Sequence, residues 1–200
     1  MLKSYVEYYP TGIRFVAWKF ARQLAKLVNQ VQIETDKKEI LFLCIGSDRS
    51  TGDSLGPLVG HLLSKREQVD LNVIGTLTMP VHAMNLSNIL KQIRNEYADS
   101  IVIAIDASLG KREHISQITL SKGPIFPGLG VNKKLESVGD IAITGIVGSG
   151  RRMEPLLLQN ARLSLIMELA DCISEGIIEY EQMQKRKKPV EHLLVEGYQF

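Results

Sequence analysis

The chain has 200 residues, 44% of them hydrophobic, and its 24 Lys and Arg residues nearly balance its 22 Asp and Glu residues. This size predicts a single domain over residues 1–200 whose core needs no disulfide for stability. The near-neutral charge argues against a nucleic-acid partner, because such proteins carry a strong basic excess. No apolar run approaches the roughly 20 residues that span a bilayer, which argues against a membrane partner.

Two features of the sequence predict a cytoplasmic protein. The first ten residues, MLKSYVEYYP, lack the apolar segment of a cleavable signal peptide. Cys44 and Cys172 lie within apolar stretches, as free buried thiols in a reducing compartment usually do.

The predicted elements begin with an amphipathic helix over residues 11–30, capped by Thr11. Trp18 lies near the edge of its apolar stripe and is expected to extend the core, the alternative being that it packs on a partner. This helix and a polar bridge make up residues 1–36. The core, residues 38–187, alternates apolar strands with helices, which indicates a three-layer α/β/α sandwich with a mostly parallel central sheet. Its predicted strands are 40–45, 71–77, 101–105, 115–120 and 141–147, its predicted helices are 57–68, 85–95 and 154–187, and residues 188–200 form an apolar tail.

Acidic side chains follow two of the predicted strands. Asp48 and Asp53 lie just after strand 40–45, and Asp106 directly follows strand 101–105. Ligands of open α/β sheets collect at the carboxyl ends of strands, so Asp53 and Asp106 face one crevice if the two strands are neighbours. Two carboxylates in a partly dry site form an acid beside a base, or hold a divalent cation together with a third donor.

Each of these residues also has a structural interpretation. Asp53 precedes a predicted helix and suits an N-terminal cap, and Asp106 suits a turn formed by the residues after it. The glycine-rich loop 46–54 allows phosphate binding on backbone amides, although it lacks the lysine of a P-loop. The four histidines, at positions 61, 82, 114 and 192, show no metal-ligand spacing, which argues against a histidine-based zinc site.

Three segments carry a resemblance to known families. The segments T-G-D-S-L-G-P (51–57), V-I-A-I-D-A (102–107) and I-F-P-G-L-G-V-N-K-K (125–134) resemble, in the same order, motifs of the spore germination protease family. The glycine–aspartate loop and the strand-end Asp106 are similar, more distantly, to hydrogenase maturation endopeptidases. Overall, residues 38–175 resemble the YyaC-like sporulation proteins.

The resemblance implies a phosphorylase/hydrolase-like fold of the germination protease and hydrogenase maturation protease type. By analogy with the germination protease, Asp53 and Asp106 are the catalytic carboxylates of an aspartic-type peptidase. By analogy with the hydrogenase maturation enzymes, they bind a divalent metal ion instead, with Glu136 in the position of the third ligand.

The expected function is hydrolysis of a peptide bond by a sporulation-associated protein in a spore or sporulating cell. The alternative is a non-catalytic sporulation factor that binds a peptide or protein partner through the same cleft. A homo-oligomer, with a dimer favoured, is expected through the N-terminal helix. The supporting site residues are Asp48, Gly46, Thr51, Gly128 and Gly130.

Overall fold

The computed structural model describes residues 6–66, 71–127, 136–150 and 158–187. Its six strands form one sheet in the spatial order β1-β5-β6-β4-β2-β3. The strands are β1 Val6–Pro10, β2 Glu39–Cys44, β3 Asn72–Ile74, β4 Ser100–Gly110, β5 Gln117–Lys122 and β6 Ile141–Ser149. The helices are α1 Ala17–Thr35, α2 Leu55–Ser64, α3 Leu86–Glu96 and α4 Leu163–Lys187.

The sheet is mostly parallel, because β3, β2, β4 and β6 pair in parallel while β5 is antiparallel to both β6 and β1. The central strands β2 and β4 are continuous runs of apolar residues, as expected for strands that are covered on both faces. Helices α1, α2 and α4 share one core with alternate residues of these strands. Helix α3 covers Leu41, Leu43 and Ala104 on the opposite face, which confirms the predicted three-layer sandwich.

The N-terminal segment differs most from the sequence-based expectation. The predicted helix 11–30 begins only at Ala17, and Thr11 makes no cap, because its hydroxyl lies 2.7 Å from Ser116 Oγ and donates to Glu168 Oε1 at 2.5 Å. Trp18 is 52% exposed rather than packed. Strand β1 was not predicted from sequence; it forms because its backbone pairs with β5 at the edge of the sheet.

Strand β4 is longer than predicted, and this difference positions the site. The predicted strand 101–105 extends to Gly110, since β6 continues to pair with it beyond Asp106. Asp106 is therefore held inside a strand, and the predicted turn after it is wrong. Within the described ranges, no helix has the length and apolar character needed to cross a membrane.

Candidate active site

The loop after β2 folds back on itself and places Asp53 beside the sheet. The Ile45 amide donates to Ile105 O of β4 at 2.8 Å, and the next amide, of Gly46, donates to Val81 O at 2.7 Å. The Ser47 amide then donates to Asp53 O at 3.0 Å. Three successive amides thus tie the loop to β4, to the segment after β3, and to the start of the helical turn that carries Asp53.

Gly46 is required at the point where the loop reverses. Its φ of 140° lies in a region that side-chain-bearing residues rarely adopt. A Cβ atom there would overlap the carbonyl of Asp53 and press on the ring of Pro57. The close approach of Gly46 to Asp53 therefore depends on the absence of a side chain.

Asp106 lies on β4 in register with Thr144 of β6 and is only 6% exposed. Its Oδ1 accepts a hydrogen bond of 2.7 Å from the Ala107 amide. No cation pairs with it in the part of the chain that the structure describes. A carboxyl group in such a place is costly to ionise.

The two aspartates interact electrostatically. Burial raises the pKa of Asp106 well above its usual value, and the nearby charge of Asp53 raises it further. Burial also raises the pKa of Asp53, while a hydrogen bond from the Ser47 backbone and an electrostatic interaction with His82 oppose this rise. The pKa is therefore raised more strongly at Asp106 than at Asp53, and a pair of carboxyl groups with separated pKa values can act as an acid beside a base.

The structural interpretation of Asp53 is not supported by the local geometry. Helix α2 follows a one-turn 3-10 helix, Gly52–Ser54, and no side chain caps either element. Ser54 instead donates from its hydroxyl to Thr51 O at 2.7 Å, so Thr51 contributes to this turn through its backbone. Asp48 is exposed to solvent in the same loop. Gly128 and Gly130 lie outside the described residues.

Glu136 does not join the aspartates, and this corrects the predicted set of three metal ligands. Its carboxylate lies on the surface, 3.4 Å from the Arg94 guanidinium of α3. The pairing of Val138 with Ile125 fixes the chain near Glu136, which lies beside Arg94 of α3. Among the described residues, no three His, Cys, Asp or Glu side chains are arranged to hold a metal ion. These donors do not fit the metal site that the hydrogenase maturation resemblance implies.

A row of polar side chains crosses the sheet beside Asp106. Register places Thr144 next to Asp106, Thr119 next to Thr144, and Tyr8 next to Thr119. The Thr144 hydroxyl lies 2.7 Å from that of Thr119 and 3.0 Å from that of Ser108. Adjacent register partners share one face of a sheet, so these hydroxyls line the face onto which Asp106 projects.

His82 is the residue near the site that sequence analysis missed. The preceding residue, Val81, forms a parallel bridge with Ile45 at the end of β2. The position of His82 after β3 at the carboxyl edge of the sheet was the available signal, but histidine spacing alone did not reveal it.

The comparisons with known proteins cover this site. A family model described as "Protein of unknown function (DUF1256)" matches residues 16–176. The chain belongs to the DUF1256 family. The range that the DUF1256 model matches contains Asp53, His82 and Asp106.

A curated relative and a solved structure are also similar to the chain. The "Uncharacterized protein YyaC" of Bacillus subtilis (strain 168) is 40% identical over 176 residues, which are 86% of each chain, and this confirms the predicted resemblance to YyaC-like proteins. The [NiFe] hydrogenase maturation protease HycI from Thermococcus kodakarensis KOD1 is 20% identical, with a TM-score of 0.46 over 74% of this chain and 95% of its own.

Proposed function

We propose that this chain is a peptidase in which Asp53 and Asp106 hydrolyse a peptide bond. The observation that carries the proposal is the pairing of a buried Asp106, whose pKa is raised by burial and by Asp53, with a half-buried Asp53 in the loop after β2. Both carboxyl groups are held in fixed backbone settings, one in a strand and one in a helical turn. Such preorganisation is what acid–base catalysis needs.

The proposed reaction assigns one role to each aspartate. Ionised Asp53 takes a proton from a water molecule, whose oxygen attacks the scissile carbonyl carbon while Asp106 donates its proton to the carbonyl oxygen. The tetrahedral intermediate then breaks at the C–N bond, the proton held by Asp53 passes to the leaving nitrogen, and Asp106 recovers its proton. General acid–base catalysis of this kind contributes about 10²- to 10⁴-fold in rate.

The hydroxyl row supports a peptide as the substrate. Ser108, Thr144 and Thr119 offer donors and acceptors on the face of the sheet that carries Asp106. An extended peptide presents alternating carbonyl and amide groups, which such hydroxyls can bind. We further propose, from the germination protease resemblance, that the substrates are small acid-soluble spore proteins or the chain itself, in the cytoplasm of a sporulating cell.

The test is a cleavage assay on wild type, Asp53→Asn, Asp106→Asn and Asp140→Asn. Each protein is incubated with a proteome-derived peptide library and with small acid-soluble spore proteins, with and without divalent ions, and the products are identified by mass spectrometry. We expect the two site variants to lose about 10²- to 10⁴-fold in rate, while Asp140→Asn, a carboxylate remote from the site, retains activity per folded molecule. A wild type that is inert under every condition refutes the proposal, as does equal cleavage by the site variants.

The alternative function is a non-catalytic factor that binds a peptide or protein partner. The observation that favours it is the low exposure of Asp106, since a neutral buried acid is also a good hydrogen-bond donor to a peptide carbonyl. Under this alternative, calorimetry with the same peptides gives saturable binding without products. Asp53→Asn then binds as well as wild type, because no water needs activation.

A further inference from the structure

His82 is attached to the same loop that carries Asp53. The carbonyl of Val81 accepts the Gly46 amide, and the carbonyl of Asp53 accepts the Ser47 amide. Two neighbouring amides of one loop therefore hold both parts of the site. The Gly46 amide anchors the residue before His82, and the Ser47 amide anchors Asp53. Val81 is 2% exposed within the core beneath α3, so this anchor is rigid.

The backbone around His82 is fixed by Asn85. The His82 amide donates to Asn85 Oδ1 at 2.8 Å, and Asn85 Nδ2 donates to Pro80 O at 3.0 Å. The carbonyl of His82 in turn accepts the amides of Asn85 and Leu86, the latter at 2.9 Å, at the start of α3. This network holds a half-buried histidine in one place although it lies in a loop.

The imidazole ring is oriented by one hydrogen bond. The Met84 amide donates to His82 Nδ1 at 3.3 Å, so Nδ1 acts as an acceptor. A neutral imidazole that accepts at Nδ1 carries its proton on Nε2. No hydrogen-bond partner for Nε2 is found within residues 6–66, 71–127, 136–150 and 158–187.

Asp53 is the charged neighbour with which His82 interacts. Asp53 lies in the loop after β2, and Asp106 of β4 interacts electrostatically with Asp53 in turn. The first turn of α3 adds no acidic group. Since no three ligating side chains are gathered in the described ranges, a metal-binding role for His82 is not favoured.

We propose that His82 is a third functional residue of this site and donates a hydrogen bond from Nε2 to the carbonyl oxygen of the bound peptide. The inference rests on the proposed peptidase function for the identity of the ligand. The imidazole acts here as an electrophile that polarises the scissile carbonyl until Asp106 has transferred its proton to the oxygen. No net proton transfer from His82 is involved.

The kinetic test compares variants that keep or remove the Nε2 donor. His82→Gln retains an amide donor at the end of the side chain, whereas His82→Phe keeps bulk and loses the donor. We expect His82→Phe to lower kcat/KM about 10²-fold, mainly through kcat, and His82→Gln to restore part of this loss. His61→Phe, on α2, is the matched control and should leave kcat/KM unchanged. Equal losses for His82→Gln and His82→Phe, or unaltered rates in both, overturn the proposal.

A spectroscopic test does not depend on activity. Long-range ¹H–¹⁵N correlation spectra of the histidine rings, assigned with His82→Gln, report which ring nitrogen carries the proton. We expect His82 with its proton on Nε2, and we expect its ring nitrogen shifts to change in Asp53→Asn while those of His61 do not. A proton on Nδ1, or a ring insensitive to Asp53→Asn, overturns the proposal even if the enzyme is active. If the His82 ring shifts change in Asp53→Asn but the wild-type protein cleaves no peptide, His82 belongs to the site and only the peptidase function is refuted.

Discussion

Two aspartates at opposite ends of the same sheet show how their neighbours determine what a carboxyl group does. Asp140 lies near the beginning of β4, where it accepts hydrogen bonds from Lys37 Nζ at 2.8 Å and from the Val102 amide at 2.9 Å. Asp106 lies toward the other end of β4, where it accepts a hydrogen bond from the Ala107 amide and interacts electrostatically with Asp53. Asp140 therefore pairs with the cation of Lys37, whereas Asp106 interacts with the carboxyl group of Asp53.

The difference separates a structural group from a reactive one. Asp140 also donates a hydrogen bond from its own amide to Val102 O at 2.7 Å, so it joins the start of β6 to β4. Asp106 has no compensating positive charge within the described residues and becomes an acid that can release or hold a proton. A pKa that is raised by burial and by a neighbouring carboxyl group is characteristic of functional sites.

The largest expected effect is a pH-dependent gain of stability in Asp106→Asn. The folded protein holds a proton on Asp106 that the unfolded chain releases above about pH 4, so wild type loses stability as the pH rises toward the raised pKa of Asp106. The loss is about 1.4 kcal/mol for each pH unit in that window. Asn needs no proton, so the stability difference between variant and wild type should widen with pH in urea unfolding from pH 4 to 8. A constant difference would contradict a buried, protonated Asp106.

The next effect is expected at Gly46, whose backbone holds Asp53 against the sheet. Gly46→Ala should lower the free energy of unfolding by about 3 kcal/mol, since a strained φ and an overlap with the Asp53 carbonyl act together. Gly123→Ala is the control, because Gly123 also has a positive φ, of 104°, but open space around it. Thermal and urea unfolding measure both. Equal losses would mean that the contact with Asp53 is unimportant.

A smaller loss of stability is expected when Asp140 is replaced. Asp140→Asn should cost about 2 kcal/mol of stability, because Lys37 loses its charged partner and the Val102 amide loses a charged acceptor. A double-mutant cycle with Lys37→Met isolates the ion pair, and Lys38→Met, an exposed neighbour, serves as the control. Any pH-dependent gain of stability in Asp140→Asn like that of Asp106→Asn would remove the contrast between the two aspartates.

The smallest effect is expected at Glu136. Its ion pair with Arg94 is more than half exposed on both sides, and such pairs contribute about 0.5 kcal/mol or less. Glu136→Gln should therefore change neither stability nor peptide cleavage measurably, with or without divalent ions. A loss of cleavage that added Mg²⁺ or Mn²⁺ reverses would restore Glu136 to the site.

Position along the strands made the two aspartates recognisable from sequence. An apolar run followed by Asp predicts a carboxylate near the carboxyl end of a parallel strand. Asp53 lies in the loop after β2, and Asp106 lies one residue beyond the last pair of β4 with β2, although β4 itself continues to Gly110. The same reasoning could not locate Glu136, whose direction depends on the pairing of Val138 with Ile125. Reasoning from strand positions also could not find His82. His82 is brought to this edge of the sheet by the single bridge between Val81 and Ile45, which are 36 residues apart, and no sequence pattern records such a bridge.

The sequence by itself determined the layers of this protein, because continuous apolar strands and amphipathic helices can bury their surfaces in few arrangements. It also placed Asp53 after the apolar run of β2 and Asp106 at the end of the apolar run 101–105. Only the tertiary structure decided which charges meet, and so it decided that Asp106 faces Asp53 while Asp140 faces Lys37. The reason is that pKa values depend on burial and on distances of a few ångströms between residues remote in sequence, which no local pattern records.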